Sequence, residues 1–416
     1  MQNVTPITPK GQPTHETDDD ELERLIAAVG DRLLQGFSPV VSALAATEAR
    51  PNQLAHRLGV DKVLASRLLK AMRTTDPVSA VHRMPGPDPL RRLLKASARA
   101  GVDEALIEEA NTAVDRFESL IRDDVGDRGT LEAIISAWIP EARREFELRR
   151  KQAAYRALSQ LRGAHCNAIS ATVMLRPSDD GDKIDVVWLN GLLGLQRARP
   201  NAGAKIATRR FSGDGPGRAP RTLDGNPVDG LEGLLLPEFC SRPLPEVHAE
   251  AVGEVAHYLL GGRRYGPNSS VDVMFAELNR GEIDRYVPAE SDRKRFAFAE
   301  VSTSARVMQF DAFVHRDLGG SSVPSIDLYD TAFEGAASVN DRKRDVDRLS
   351  LLETVEPLGW GLSSVRSPDV PRYTDAIAHV FQQVGWNADD FHAFRCRSEY
   401  PLYGSQVTLS WQPQTR

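Results

Sequence analysis

Residues 51–70, PNQLAHRLGVDKVLASRLLK, place the strictest limit on how this chain folds, because their apolar side chains have the spacing of two short crossed helices. Leu54 and Leu58 are four positions apart and therefore share one helical face. Gly59 follows, and glycine adopts the left-handed backbone of a tight turn without steric cost. The inward positions of the second helix are Ala65, Leu68 and Leu69. The stretch predicts a helix, a turn and a second helix.

The same stretch resembles the helix-turn-helix of bacterial transcription regulators. The positions that carry the resemblance are Leu54, Ala55, Leu58, Gly59, Val60, Ala65 and Leu68. The resemblance implies that the second helix enters the major groove of DNA. The residues to which it gives base or phosphate contacts are Lys62, Ser66, Arg67 and Lys70. Arg50 departs from the usual pattern, because Ser, Thr, Asp and Asn are the preferred residues at a helix start.

The charge around this motif is opposite in sign to that of the whole chain. Residues 49–99 contain eleven basic and three acidic residues, whereas the complete sequence carries a net charge of -6. A basic surface in an acidic protein is what phosphate binding requires. Further candidate contacts that follow the second helix's inward positions are Arg73, Arg83, Arg91, Arg92 and Lys95. The alternative for the last four is a solvated helix face.

A change of period follows the motif. Residues 78–83 alternate between apolar and polar types and lead into Met84-Pro85-Gly86-Pro87, which predicts a short strand and a turn. A strand with a basic tip at this place is similar to the wing of a winged helix. Residues 89–100 return directly to a helical pattern, so a second wing strand is missing.

Two alternatives to DNA binding remain for the motif. It is also consistent with an ordinary helical hairpin, or with a helix-turn-helix used only for protein contact, as in the dimerisation domains of some small-molecule methyltransferases. The methyltransferase alternative lacks a glycine-rich cofactor loop after a downstream strand.

The length of 416 residues predicts two or three domains. We expect a disordered tail at 1–18, a helix-turn-helix domain at 19–101, a helical connector or dimerisation region at 102–163, and an α+β sensor or effector domain at 164–416. A first helix should begin near Asp19 or Asp20. Ser38 and Pro39 predict the start of a second helix that runs through Ala46.

The C-terminal part predicts a mixed α+β domain with a largely antiparallel sheet. Residues 168–177 and 183–191 read as two strands joined by a short Asp/Gly turn. This element order is similar to that of IclR-type regulators, which implies a domain that binds a small molecule. Further strands are predicted at 204–211, 271–276, 296–314, 325–329, 391–397 and 406–411, and helices at 244–260 and 371–384.

Several short motifs suggest enzymatic chemistry, and each lacks its context. His315-Arg316-Asp317-Leu318 copies the catalytic-loop tetrapeptide of protein kinases, but the required asparagine and the downstream Asp-Phe-Gly are missing. The glycine spacing of residues 213–217 is similar to that of a phosphate-binding loop, but Pro216 opposes the helix whose amides would bind the phosphate. Glu254 and His257 have the Glu-x-x-His spacing of carboxylate metal sites, but a second pair is absent. We therefore expect no catalytic residue, no cofactor and no bound metal.

The remaining sequence features predict the location and partners of the protein. Three distant cysteines, no long apolar run and a polar start predict a cytoplasmic protein without disulfides or membrane attachment. We expect a homodimeric, sequence-specific DNA-binding transcriptional regulator whose partners are double-stranded DNA and a small-molecule effector. The alternative is an enzyme, or a protein-interaction protein, that uses the winged-helix-like region only for dimerisation.

Overall fold

A computed structural model describes residues 15–44, 50–200, 202–210, 221–228, 230–252, 255–262, 264–319 and 322–416. The chain divides into two compact units, with the boundary between Phe146 and Glu147. The predicted connector at 102–163 therefore forms no unit of its own, because the boundary crosses its last helix. Of the predicted tail at 1–18, residues 1–14 lie outside the described part, and the next four residues already belong to the first helix.

The first unit is helical. Its helices are α1 (His15–Leu44), α2 (Pro51–Leu58), α3 (Lys62–Met72), α4 (Pro77–Arg83), α5 (Pro87–Arg99), α6 (Glu104–Ser119), α7 (Arg128–Trp138) and the start of α8 (Pro140–Arg162). A π-helical turn, Leu120–Val125, follows α6. Pro140 separates two helices of the predicted helical region, because α7 ends at Trp138 and α8 begins at the proline.

The predicted helix start at Ser38 and Pro39 is wrong, because α1 continues through both residues to Leu44. Phe37 and Val40 are buried on either side of Pro39, so the apolar stripe of α1 is not interrupted there. Burial of one continuous face stabilises the longer helix against the local preference of proline for a first turn. The predicted end at Ala46 lies outside the described residues.

The predicted wing strand at 78–83 is also wrong, because these residues form α4. The Asp76 carboxylate accepts a hydrogen bond of 2.7 Å from the Ser79 amide, and Pro77 occupies the first turn. Both features favour a helix start. Val78 and Val81 are buried three positions apart, as on one helical face. In this region the structure therefore has two short helices joined by a turn and followed by further helices, and residues 78–83 form no wing strand.

Helices α1 and α4 lie close together at Gly30. A β-carbon built at this position would lie 2.1 Å from the Pro77 carbonyl oxygen. We expect Gly30→Ala to force these helices apart and to lower the free energy of unfolding by about 1–3 kcal/mol, although alanine is the better helix former. The urea midpoint of the transition in far-ultraviolet circular dichroism measures this change.

Gly86→Ala is the matched control for this prediction. A β-carbon at Gly86 would have its nearest contact at 3.8 Å, to Cδ of Pro89, which is an ordinary van der Waals distance. Its midpoint should remain close to that of the unchanged protein. A Gly30→Ala midpoint equal to that of Gly86→Ala would contradict the close approach of α1 and α4.

The second unit contains the strands. They are β1 (Ala164–Pro177), β2 (Lys183–Arg197), β3 (Lys205–Arg210), β4 (Val247–Val252), β5 (Val255–Leu260), β6 (Val271–Asp284), β7 (Tyr286–Val287), β8 (Arg295–Glu300), β9 (Ser304–His315), β10 (Ser325–Asp330), β11 (Val355–Trp360), β12 (Phe391–Glu399), β13 (Ser405–Trp411) and β14 (Gln414–Thr415). Helix α9 spans Tyr373–Val384. The predicted hairpin is confirmed as β1 and β2, and the predicted run at 296–314 is two strands, β8 and β9.

A six-stranded sheet forms the centre of this unit, with the order β11-β12-β9-β1-β2-β6. Strands β1 and β9 pair in parallel, whereas the other neighbours in this sheet pair antiparallel. Helix α9 covers one face, where Phe313 and Met174 share a buried cluster with Ile377. The other face packs against the sheets β10-β13-β8 and β3-β5-β4. The predicted α+β class with a mostly antiparallel sheet is confirmed.

The predicted helix at 244–260 is wrong, because β4 and β5 form an antiparallel hairpin there. Val247 lies opposite Leu260 and Glu250 lies opposite His257. Cross-strand pairing thus replaces the helical face on which the Glu-x-x-His hypothesis depended. Glu254 itself lies outside the described residues. Among the helices that the structure describes, none has the length and apolarity needed to cross a bilayer.

Candidate nucleic-acid interface

The turn between α2 and α3 is built by Gly59. Its backbone is left-handed, with φ 62° and ψ 33°. The amide of Val60 donates to the Ala55 carbonyl over 3.0 Å, which closes the end of α2. Arg50, at the start of α2, makes no side-chain cap, and Pro51 supplies the first turn instead. Gly59 and Val60 therefore form the predicted turn and close the end of α2.

Asp61 positions the start of α3. Its carboxylate accepts a hydrogen bond of 2.6 Å from the Val63 amide. This cap satisfies one of the backbone donors that a helix start leaves unpaired. Asp61 is not among the predicted site residues, although an aspartate directly before an apolar helical stripe is a recognised start signal.

Helix α3 presents one exposed cationic face. The apolar residues predicted to face inward, Ala65, Leu68 and Leu69, are all buried. Four of the five predicted contact residues on or directly after α3 are exposed and Ser66 is half-buried; these five are Lys62, Ser66, Arg67, Lys70 and Arg73. Val63 lies among them with 65% of its side chain exposed. The diameter of an α-helix fits the width of the DNA major groove, so a helix with one exposed face can lie in the groove.

A cleft of about 510 Å³ lies between the start of α3 and helix α5. Arg67 lines it from α3, and Arg92, Lys95 and Arg99 line it from α5. These α5 residues are three and four positions apart and therefore project from one helical face. The Arg67 guanidinium donates a long hydrogen bond, 3.5 Å, to the Met84 carbonyl. The fold thus gathers cations from two helices around one opening.

Arg91 lies apart from this cleft, although it is the neighbour of Arg92. Its guanidinium lies 2.7 Å from the Asp115 carboxylate and 2.5 Å from the Glu118 carboxylate, both on α6. The hydrogen bond from Arg91 lowers the pKa of Glu118, and the same bond raises the pKa of Arg91. Arg91 is therefore neutralised by α6 and unsuited to a phosphate contact.

The other predicted contacts differ in their surroundings. Arg83 is exposed at the end of α4, and Arg73 terminates α3. In the part of the chain that the structure describes, no carboxylate lies within 4.0 Å of the cations Lys62, Arg67, Lys70, Arg92, Lys95 and Arg99. Cations without a carboxylate partner attract a polyanion more strongly than paired ones.

The predicted contacts include Lys95 but not Arg99. Both contribute to the basic charge of residues 49–99, but the sequence alone did not show that they face α3. Their spacing from Arg92 was the available signal, because it places all three on one side of a helix. Only the packing of α5 shows which of its faces borders the cleft.

Of the short motifs with a catalytic appearance, the tetrapeptide at His315 has structural contacts, whereas residues 213–217 lie outside the described part of the chain. His315 ends β9 and accepts a hydrogen bond from the Asp317 amide, and Arg316 pairs with Asp390 at 2.8 Å. No group of three or more His, Cys, Asp or Glu side chains has metal-binding geometry among the described residues. Burial raises the pKa of the Cys396 thiol to about 12, which disfavours the reactive thiolate.

Comparison with known proteins gave no relative for this chain. No protein-family model matches it, and no curated protein and no solved structure matches it either.

Proposed function

We propose that the protein is a sequence-specific DNA-binding transcriptional regulator. In this proposal the first unit binds double-stranded DNA and the second unit senses a small-molecule effector or a partner. The observation that carries the proposal is the exposed cationic face of α3 beside a cleft lined by further cations from α5. Neutral or basic partners would not require this convergence of unpaired positive charge, whereas a polyanion such as DNA would.

The two helices would contact different parts of the duplex. Lys62, Ser66, Arg67 and Lys70 would reach base edges or phosphates from α3 in the major groove. Val63 would add an apolar contact of the kind that recognises a thymine methyl group. The three α5 cations, Arg92, Lys95 and Arg99, would hold phosphates and fix the register of the protein on the DNA.

The proposal includes a homodimer in the cytoplasm. One recognition helix supplies few base contacts, and two-fold symmetry doubles them on a palindromic site. An effector would regulate DNA binding only by favouring the conformation of the protein that has the higher or the lower DNA affinity.

The neighbouring residues Arg91 and Arg92 provide a direct test. The DNA for this test comes from selecting genomic fragments with the full-length protein and sequencing those retained. We expect Arg92→Ala to weaken binding several-fold and to lower the slope of log affinity against log salt by about 1, because one phosphate contact is lost. Arg91→Ala should bind normally, since its guanidinium is already paired with α6. Fluorescence anisotropy at several salt concentrations measures both values.

Failure of the proposal has a clear form. Selection that enriches no sequence, or a protein that does not retard duplex DNA even at low salt, would contradict it. Equal losses for Arg91→Ala and Arg92→Ala would contradict the assignment of the cleft while leaving DNA binding intact. The first outcome would favour the alternative in which the helical unit serves assembly only.

A further inference from the structure

A second cavity lies wholly within the C-terminal unit. Its volume is about 590 Å³, and it lies between β1 and β2 of the six-stranded sheet and strand β8. Much of its wall is apolar or aromatic, with Val173, Val186, Trp188 and Phe296 among the lining residues. Cavities that hold small organic molecules have volumes of roughly 300–1,000 Å³ and mostly apolar walls with a few polar groups. The cavity therefore has the dimensions of a small-molecule site.

Arg295 is an unusual residue in this wall. It is only 8% exposed, and it faces the same side of β8 as the buried core residues Ala297 and Ala299. Its Nη2 donates to two backbone carbonyls, those of Asp284 at 3.2 Å and Arg285 at 2.7 Å. Its Nε is buried with no acceptor among the described residues, and none of their carboxylates lies within 4.0 Å. Burying a cation without a carboxylate partner raises the free energy of the folded state.

A second unpaired donor occupies the adjacent strand. Trp411 of β13 lies directly opposite Arg295 in the antiparallel register, so both side chains are on the same face of the sheet. The Trp411 Nε1 is also buried and has no acceptor in the described part of the chain. Both groups can only donate hydrogen bonds. The partner that each group lacks is therefore an acceptor. Arg295 lines the cavity and Trp411 does not, so a ligand in the cavity would meet Arg295, and next to a guanidinium an anionic acceptor is preferred.

The surrounding charges favour an anion as well. Arg293 and Lys294 also line the cavity. Asp284 and Glu282 contribute carboxylates to the wall, but that of Asp284 already lies 2.5 Å from the Lys183 ammonium. Burial, and secondarily the charge of Arg285, lowers the pKa of Arg295 to about 10, which leaves it protonated at neutral pH. The cation that would hold the ligand is thus charged under physiological conditions.

We propose that this cavity binds a small organic acid with an apolar body. The carboxylate of the ligand would accept hydrogen bonds from the Arg295 guanidinium, and its hydrocarbon or aromatic part would lie against Trp188 and Val173, which line the cavity together with Arg295. The site itself depends only on the second unit. The further step, that this ligand is the effector that alters DNA affinity, rests on the proposed function.

Titration calorimetry with the full-length protein tests the site. The probes are octanoate, phenylacetate and 2-naphthoate, each compared with its uncharged amide. We expect saturable binding of at least one acid, with affinity about tenfold or more above that of its amide, because a hydrogen bond to a charged group contributes roughly 1.5–3 kcal/mol. No saturable binding of any acid, or equal affinity for acid and amide, would overturn the proposal.

Three variants locate the ligand within the protein. Arg295→Gln should reduce the acid's affinity to that of the amide. Trp188→Phe keeps an aromatic ring in the cavity wall and should cause a smaller loss, so it remains informative if Arg295→Gln does not fold. Arg342→Gln is the matched control, because Arg342 is exposed and does not line the cavity. Normal binding by both Arg295→Gln and Trp188→Phe would overturn the site.

These measurements use no DNA, so their outcome is independent of the DNA-binding test. Addition of the bound acid to the anisotropy assay then tests the effector role. A changed DNA affinity that Arg295→Gln abolishes would support that role. Acid binding without a change in DNA affinity would leave the site in place and refute the regulatory link alone.

Discussion

Simultaneous replacement of Arg67 and Lys70 by alanine is expected to weaken binding of the full-length protein to its selected DNA about 100-fold. Both residues are exposed on α3, and Arg67 also lines the cleft shared with α5. Each lost contact to a base or phosphate contributes on the order of 1.4 kcal/mol, or a factor of ten. The slope of log affinity against log salt should fall by about 2 if both side chains contact phosphates. Fluorescence anisotropy across a salt series measures both quantities.

The matched control is the double variant of Arg24 and Arg32 to alanine. These arginines are exposed on α1 of the same unit, do not line the cleft, and remove the same amount of charge. The DNA affinity of this double variant should change only slightly, because long-range attraction between exposed charges is screened by salt. Unchanged affinity of the Arg67 and Lys70 variant, or an equal loss in the control, would refute the proposed recognition face.

The largest expected effect on stability arises from Asp311→Ala. Asp311 is fully buried on β9 and accepts hydrogen bonds from Arg395 at 2.7 Å and 2.9 Å and from the Tyr373 hydroxyl at 2.6 Å. Tyr373 in turn lies 2.8 Å from the Thr172 hydroxyl. Removing the carboxylate leaves the Arg395 charge buried without its partner, which costs about 3–5 kcal/mol. Urea denaturation followed by tryptophan fluorescence measures the loss.

The neighbouring ion pair on β12 provides the control for this prediction. Arg397 lies 2.7 Å from Asp369 and is 38% exposed, so solvent screens the pair. Asp369→Ala should therefore cost about 1 kcal/mol or less. The combined variant Asp311→Leu and Arg395→Met removes both buried charges and should recover much of the stability lost by Asp311→Ala. A small loss for Asp311→Ala itself would contradict the importance of the buried pair.

The sequence predicts those elements whose signals are local and repeated. Gly59 and the apolar residues of α2 and α3 define the helix-turn-helix, because the spacing and the turn glycine point to the same structure. The β1 and β2 hairpin is equally accessible, since two apolar runs flank a short Asp/Gly turn. The basic surface follows from charge counting. In each case the signal lies in residues that are close together in the sequence, and the periodicity behind the first two elements is read over windows of about 11–18 residues.

The incorrect predictions arise where short stretches fit two periods. Residues 78–83 alternate like a strand, but the cap from Asp76 and the contact of α1 with α4 at Gly30 stabilise a helix. Residues 244–260 read as a helix, although pairing of β4 with β5 and β3 makes them strands. Tertiary contacts decide such cases and cannot be read locally.

Features of the candidate sites that depend on residues far apart in the sequence cannot be predicted from the sequence either. The pairing of Arg91 with α6 distinguishes it from Arg92, yet the two arginines are adjacent in the sequence. The juxtaposition of Arg295 and Trp411 depends on the register of β8 against β13. Neither arrangement leaves a motif, because the side chains meet only after the sheets and helices have packed.

The parallel pairing of β1 with β9 determines when the second unit can complete its sheet during synthesis. β1 ends at Pro177, whereas β9 begins only at Ser304. Domains fold as the chain leaves the ribosome, so the helical unit can fold first. Strands β1 and β2 can pair with each other at that stage, but β1 cannot pair with β9 until β9 has been synthesised. Both faces of the β1–β2 hairpin are strongly apolar. The growing chain therefore exposes apolar surface that is prone to aggregation until β9 has been synthesised. We expect chaperones that bind apolar segments to determine the yield of folded protein.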